Sequence, residues 1–332
     1  MNTQQIVLAS RPKGTPIAAD FRIETKALRN IENGEVLLKP NYYSVDPYMR
    51  GRMNDAKSYA EPFQIDKPIN GGVTATVLES KSQHFKMGDL VVGMLPWQEK
   101  CVAFEKSIQK IDAKIAPESY YLSVLGMTGL TAYFGLMYIG KPKKGETVVV
   151  SGAAGAVGIV VGQIAKIQGC HVVGIAGTDK KVAMLKSKFG FDEAINYKTS
   201  KNLRKEIAKV CPDGVDVYFD NVGGEISDAV IANINFNARI ALCGQISLYN
   251  DTVIPVGPRI QPMLLTRSVL MQGFIVGNFS ADFPQGMAQL SEWVKEGKLR
   301  FTETIENGFD HLPTALIGLF KGENTGKMVV RV

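Results

Sequence analysis

A chain of 332 residues, 45% hydrophobic and 21% charged, has the balance of a globular protein and is too long for one ordinary core, so two domains are expected. Its formal net charge of +6 is dispersed. The absence of a long Lys/Arg run, or of a basic stripe interleaved with aromatics, argues against a nucleic-acid partner and for a mildly basic surface that helps an anionic small molecule approach.

The four cysteines (Cys101, Cys170, Cys211, Cys243) and three histidines (His84, His171, His311) are scattered. No CxxC pair and no His–Cys spacing suits zinc, so neither a metal site nor a disulfide framework is expected, and a cytoplasmic location is. Residues 1–12 lack the apolar core of a signal peptide. Short runs at 5–9, 35–40, 72–79 and 99–104 alternate Val, Ile, Thr and aromatics with polar residues, punctuated by Gly and Pro. They predict an irregular, mostly antiparallel β domain. Two uncharged stretches, 119–140 and 147–165, have the length of a membrane span. The second divides into strand, Gly-rich turn and helix. The first, interrupted by Gly126, Gly129 and Gly135, reads as a buried helix entering a domain, so no membrane partner is expected.

From about Tyr120 strands and helices alternate. Strands are predicted at Thr147–Ser151, His171–Ala176, Val215–Asp220 and 238–243, and helices at 157–167, 180–189, 202–210 and 224–234. Apolar strands separated by amphipathic helices predict a parallel sheet covered on both faces. Residues 250–267 include Pro255, Gly257, Pro258 and Pro262 and show no period. They predict a long loop, a candidate lid over a substrate pocket. The C-terminal residues return to short strand-like pieces ending at 327–332. The expected α/β organisation is a first domain of 1–120 completed by 300–332, and a second of 121–299.

The strand Thr147–Ser151 runs into Gly152, Ala153, Ala154, Gly155, Ala156, Val157, Gly158 and then a helix. This is GxxGxxG inside a βαβ unit. Gly155 lets the backbone approach a pyrophosphate, Gly158 lets helix and strand pack closely, and the N–H groups at Ala156 and Val157 open toward the phosphates. The second strand ends in Ile175, Ala176, Gly177 and Thr178, with no carboxylate to hold a ribose 2′-OH; Asp179 falls in the helix cap, and Lys180 and Lys181 follow. A cation there suits the 2′-phosphate of NADP. A solvated helix lysine would read the same way, so the residues alone leave this open.

These strings, with Asn196, Tyr197, Lys198 and with Asp220, Asn221, Val222, Gly223, Gly224, resemble the zinc-free medium-chain dehydrogenase/reductase superfamily. Within it the chain is similar to the branch of prostaglandin reductases, plant alkenal double-bond reductases and bacterial curcumin reductase. The resemblance extends along the whole chain through 44–50, 126–133, 243–250 and 322–327. It implies a GroES-like, mostly-β catalytic domain plus a Rossmann domain with a doubly wound parallel sheet, NADPH as cofactor, and reduction of the C=C bond of a small-molecule enal or enone.

The resemblance also implies roles. Lys181 and Tyr197 would hold the 2′-phosphate. Asn221, Cys243, Gly244, Gln245, Ile246, Ser247, Leu248, Tyr249, Phe274, Ile275 and Val276 would line the ribose and nicotinamide, and Asn324 would add a cofactor contact. Tyr48, Tyr59 and Tyr249 match positions linked to the substrate carbonyl, where a phenol O–H can meet the developing enolate oxygen. Tyr249 is the first choice and Tyr59 the second, while Tyr48 reads equally as a packing residue. The chain departs from its relatives at Gly152, where many have Ala, at Lys100, where Tyr is frequent, and at Gly277, where several carry a bulky aromatic that would narrow the pocket. The alternatives are an NADPH-dependent quinone reductase and a non-catalytic NADPH-binding protein. The oligomeric state stays open, with a homodimer among the readings.

Overall fold

The computed structural model describes all residues, 1–332. The chain folds into two units. One comprises Met1–Leu122, Glu303–Asn324 and Met328–Val332, and the other Ser123–Thr302 with Thr325–Lys327. No helix is long and apolar enough to cross a membrane.

In the first unit β1 (Asn2–Leu8) and β2 (Phe21–Ala27) form an antiparallel pair. A seven-stranded sheet combines β3 (Glu35–Ser44), β4 (Asn70–Ser80), β5 (Leu90–Pro96), β6 (Cys101–Phe104) and β7 (Ile108–Lys110) with the C-terminal strands Glu303–Asn307 and Lys327–Arg331. Its core gathers Val36, Leu38, Tyr43, Val73, Ala75, Val91 and Trp97, with Met49 from the short helix α1 (Tyr48–Arg52). The register of β3 against β4 shifts between Pro40 and Tyr42, where proline has no N–H for the ladder. One expectation is corrected here. Residues beyond 300 are not all strand-like, because Leu312–Lys321 is a helix. Leu312, Ala315, Leu316 and Leu319 lie on one helical face and join this core. Pro313 sits in the first turn, where its missing N–H does no harm, and Gly322 at φ 71° ends the helix.

The second unit carries the parallel sheet. Its strands are β8 (Thr147–Ser151), β9 (His171–Ala176), β10 (Glu193–Asn196), β11 (Val215–Asp220), β12 (Ile234–Leu242) and β13 (Leu270–Gly273). They lie in the order β10-β9-β8-β11-β12-β13, all parallel. This is the doubly wound Rossmann order, and its switch point falls between the carboxyl ends of β8 and β11. All five residues of β8 are buried, because helices cover both faces. Those helices include α2 (Met127–Phe134), α3 (Ala156–Ile167), α4 (Asp179–Phe189), α5 (Leu203–Val210) and α6 (Gly224–Ile231).

Three further expectations change. Residues 119–140 are not one helix: a 3-10 turn at Glu118–Leu122 and a π-helical turn at Gly135–Gly140 flank α2, which starts afresh after the extended backbone of Gly126. The helix expected over 224–234 ends at Ile231, and Ile234 opens β12 by pairing with Val215. The spacing of Ile231, Ile234 and Ala238 suits either period, so the sequence carried no signal for this boundary. The loop expected over 250–267 is helical from Gln261 to Thr266 (α7), with Pro262 in its first turn. Residues 251–260 stay irregular, and Val253, Ile254 and Val256 are exposed.

The junction of β8 and α3 is tight. A Cβ at Gly158 would lie 2.5 Å from Gly152 O and 2.7 Å from Ala153 Cα, both main-chain atoms. Gly158→Ala must therefore shift the helix or the turn, and is expected to destabilise the protein by about 1–3 kcal/mol. The measurement is a urea midpoint at unchanged slope. An unchanged midpoint would show that the turn yields freely.

Candidate active site

The site begins where β8 ends. Gly152, at φ 58°, turns the chain, and Gly155 N–H donates to Gly152 O at 2.9 Å. Gly326 N–H donates to Ala154 O at 2.8 Å and braces the same turn. Gly155 is the N-cap of α3 and has no side chain to occupy the helix's first N–H groups. Those groups, at Ala156, Val157 and Gly158, form the usual seat for a pyrophosphate.

At the end of β9 the Thr178 hydroxyl caps α4 by accepting the N–H of Lys181 at 3.2 Å. Asp179, the nearest carboxylate, accepts the Asn196 side-chain amide at 2.6 Å and is committed there. A Cβ at Gly177 would lie 3.1 Å from the Tyr197 ring and 3.3 Å from Lys198 Cε, so both side chains close over the strand end. Lys181 is half-buried. Burial lowers its pKa, and the charge of Lys198 lowers it further. Two ammonium groups thus crowd a small, carboxylate-poor corner, a fit for the dianionic phosphate of NADP rather than for a bare ribose. Lys181 and Tyr197 are the pair that the family resemblance assigns to the 2′-phosphate. Lys198 was missed, its only signal being its place after Tyr197.

At the switch point the wall is built around Asp220, whose side chain is wholly buried. Its Oδ1 accepts from Ser151 Oγ at 3.0 Å, Tyr218 Oη at 2.8 Å, Val222 N at 3.0 Å and Gly223 N at 2.9 Å. Its Oδ2 accepts from Gln245 Nε2 at 3.1 Å. Asn221 is pinned in turn: its N–H donates to Ser151 Oγ at 2.9 Å and its amide to Ser151 O at 2.8 Å. The backbone of Cys243 and Gly244 donates to Asp220 O at 2.9 and 3.0 Å, and Ser247 Oγ donates to Val222 O at 2.6 Å. Asn221 and the segment from Cys243 to Tyr249, separate in the sequence, therefore form one continuous wall, with Ile246 and Leu248 half-buried within it. Asp220 was not singled out, although an acid closing the run Val217, Tyr218 and Phe219 was a signal.

Tyr249 closes this wall. Its Oη accepts the N–H of Gln245 at 3.1 Å, which fixes the phenol and leaves its own proton to give. Burial raises the phenol's pKa against the pull of that N–H, and Cys243 and Asp220 add to the rise, so Tyr249 stays protonated at neutral pH. Burial, aided by the charge of Asp220, pushes the Cys243 thiol up to about 12, so it is not a nucleophile. Phe274 is buried and meets Phe219 edge-on at 6.2 Å, so its ring serves the core; Ile275 is exposed and Val276 half-exposed. A Cβ at Gly277 would meet nothing within 4 Å, so no neighbour demands glycine there.

The remaining candidates belong to the first unit. Tyr48 opens α1, and its hydroxyl is buried without a hydrogen-bond partner. Burial drives that phenol's pKa well up, and the charge of Asp46 adds to it. Tyr59 lies near enough to Tyr48 to affect its titration, yet is 58% exposed. Asn324 ends the Glu303–Asn324 segment of this unit.

Two family models match the chain: an N-terminal domain of oxidoreductase over residues 4–111, and a zinc-binding dehydrogenase over residues 156–293. A putative NADP-dependent oxidoreductase, YfmJ, of Bacillus subtilis is 58% identical over 99% of this chain and 97% of its own length. The 2-alkenal reductase (NADP+-dependent) of Nicotiana tabacum is 43% identical over 100% of this chain and 98% of its own. The crystal structure of CurA from Vibrio vulnificus in complex with NADPH superposes with a TM-score of 0.95 at 43% identity, covering 99% of both chains. The chain belongs to the medium-chain dehydrogenase/reductase superfamily, in its branch of alkenal, curcumin and prostaglandin reductases. No three His, Cys, Asp or Glu side chains come together in a group that could hold a metal ion. In this reductase the glycine turn, the lysine corner and the Asp220 wall lie along the carboxyl edge of the sheet, where a doubly wound fold takes its dinucleotide.

Proposed function

We propose that the protein is an NADPH-dependent reductase of the C=C bond of α,β-unsaturated aldehydes and ketones. Bound NADPH supplies a hydride to the β-carbon of the substrate. The C=C π pair shifts to join the α-carbon and the carbonyl carbon as the C=O π pair moves onto oxygen, giving an enolate; a proton from water at the α-carbon then restores the carbonyl and completes the saturated product. What the chain supplies is placement and charge. The turn from Gly152 to Gly158 takes the pyrophosphate, and Lys181, Lys198 and Tyr197 take the 2′-phosphate. Tyr249 donates to the enolate oxygen. The observation that carries this reading is Tyr249: a protonated phenol, held through its oxygen by Gln245 N–H, has one proton to offer and no acid–base role to play in the ground state. The full-length likeness to a 2-alkenal reductase supports the same chemistry.

The test is NADPH oxidation with a 2-alkenal, an enone and a quinone, each with and without a chelator. Turnover of the alkenal and enone to saturated products, unaffected by chelation, is the expected result. Turnover of the quinone alone would favour a quinone reductase. NADPH binding without oxidation by any of them would favour a non-catalytic role, and chelator-sensitive, zinc-restored activity would overturn the metal-free reading.

A further inference from the structure

Asp220 has more charge than its hydrogen bonds require. Five donors converge on its carboxylate, three of them N–H groups that can only donate, a set that suits the charged form. None of the chain's ion pairs includes it. An asparagine could accept the same four bonds at Oδ1. Its Nδ2 could then face a turned Gln245 amide, at the loss of the 3.0 Å bond from Gln245 Nε2 to Gly244 O. Burying an anion with no cation beside it is costly, and scaffolding alone does not call for it.

The charge is also felt at the wall. Tyr218, Cys243 and Tyr249 pack around Asp220, and its field opposes ionisation of all three. It lies directly behind Asn221, Cys243 and Gly244, through its own main-chain carbonyl and through Gln245. Loss of hydride leaves the nicotinamide ring with one more positive charge than it had. A fixed, buried anion behind the face where positive charge would develop stabilises that state with no reorganisation.

We propose that Asp220 is an electrostatic positioning residue whose buried charge favours the oxidised over the reduced nicotinamide and so promotes hydride release. This rests on the reading that Asn221 and residues 243–249 line the nicotinamide.

The test compares affinities for NADP+, NADPH and 2′,5′-ADP, which lacks the nicotinamide, in the wild-type protein and in Asp220→Asn. The ratio of the NADP+ to the NADPH dissociation constant is expected to rise roughly tenfold, the scale of one charge at several ångströms in a medium of intermediate polarity, while 2′,5′-ADP binding stays as in the wild type. Equal weakening of both dinucleotides, with 2′,5′-ADP unaffected, would reduce Asp220 to shaping the ring site and overturn the charge proposal alone. All three affinities unchanged would mean that the ring lies elsewhere, overturning the wall reading as well. A common loss of all three would make Asp220 a scaffold residue of the whole domain. Should Asp220→Asn fail to fold, Gln245→Lys sets an ammonium against the intact carboxylate and is expected to raise the same ratio, with Gln245→Met as the neutral control. A ratio that moves equally in both would overturn the proposal.

Discussion

Replacing Tyr249 by Phe is expected to lower kcat for an enone by roughly 10- to 100-fold while NADPH affinity stays within a few-fold. Phenylalanine keeps the ring and removes only the O–H. Its removal also strips the N–H of Gln245 of its acceptor, a secondary loss that NADPH affinity would report. A donor to a developing oxyanion is worth a factor of roughly 10²–10³ in turnover, and less is expected here because a ribose hydroxyl of the bound cofactor would offer that oxygen a second donor. Tyr59→Phe is expected to do less, since that side chain is 58% exposed and its hydroxyl is competed for by water. Single and double variants, with the chemical step shown to limit kcat, make the comparison. Full turnover in Tyr249→Phe and in the double variant would make both tyrosines packing residues.

Lys181→Ala is expected to weaken NADPH binding by roughly 10- to 100-fold and to leave NADH binding nearly unchanged. Charge-assisted hydrogen bonds contribute about 1.5–3 kcal/mol, and Lys181 is half-buried, so its contact to phosphate is only partly screened by solvent. Lys198→Ala should produce a smaller change in the same direction, because Lys198 is exposed. In the double variant NADPH and NADH affinities should approach each other. Equal weakening of both nucleotides by Lys181→Ala would remove the 2′-phosphate from this corner.

The sheet of the second unit was legible because each of its strands near the switch point is an apolar run with a sharp end. Thr147–Ser151, His171–Ala176 and Val215–Asp220 occur with the expected bounds. The edge strands β10 and β13 are four residues each and carry no such run, and they were not foreseen. The C-terminal helix at Leu312–Lys321 was hidden because its apolar residues are nearly continuous and give no clear period until a core selects one face. In the site, the glycine turn was visible from its local pattern. Asn221 and residues 243–249 entered through family resemblance, but the part of Asp220 and Ser151 in joining them was hidden, because Asp220, Ser151 and Gln245 are far apart in the chain and meet only through the parallel crossover. The tyrosines and Asn324 entered through family resemblance, and no local periodicity marks them. The buried, unpartnered hydroxyl of Tyr48 is a property of the fold alone.

The most direct measurement follows one atom. NADPH carrying deuterium at the transferred C4 position is turned over with an α,β-unsaturated ketone, and the product is located by NMR. C=C reduction by hydride places the deuterium on the β-carbon of a saturated ketone. Deuterium on the carbinol carbon of an allylic alcohol would make the protein a carbonyl reductase, and an undeuterated organic product would show that the hydride never reaches the enone.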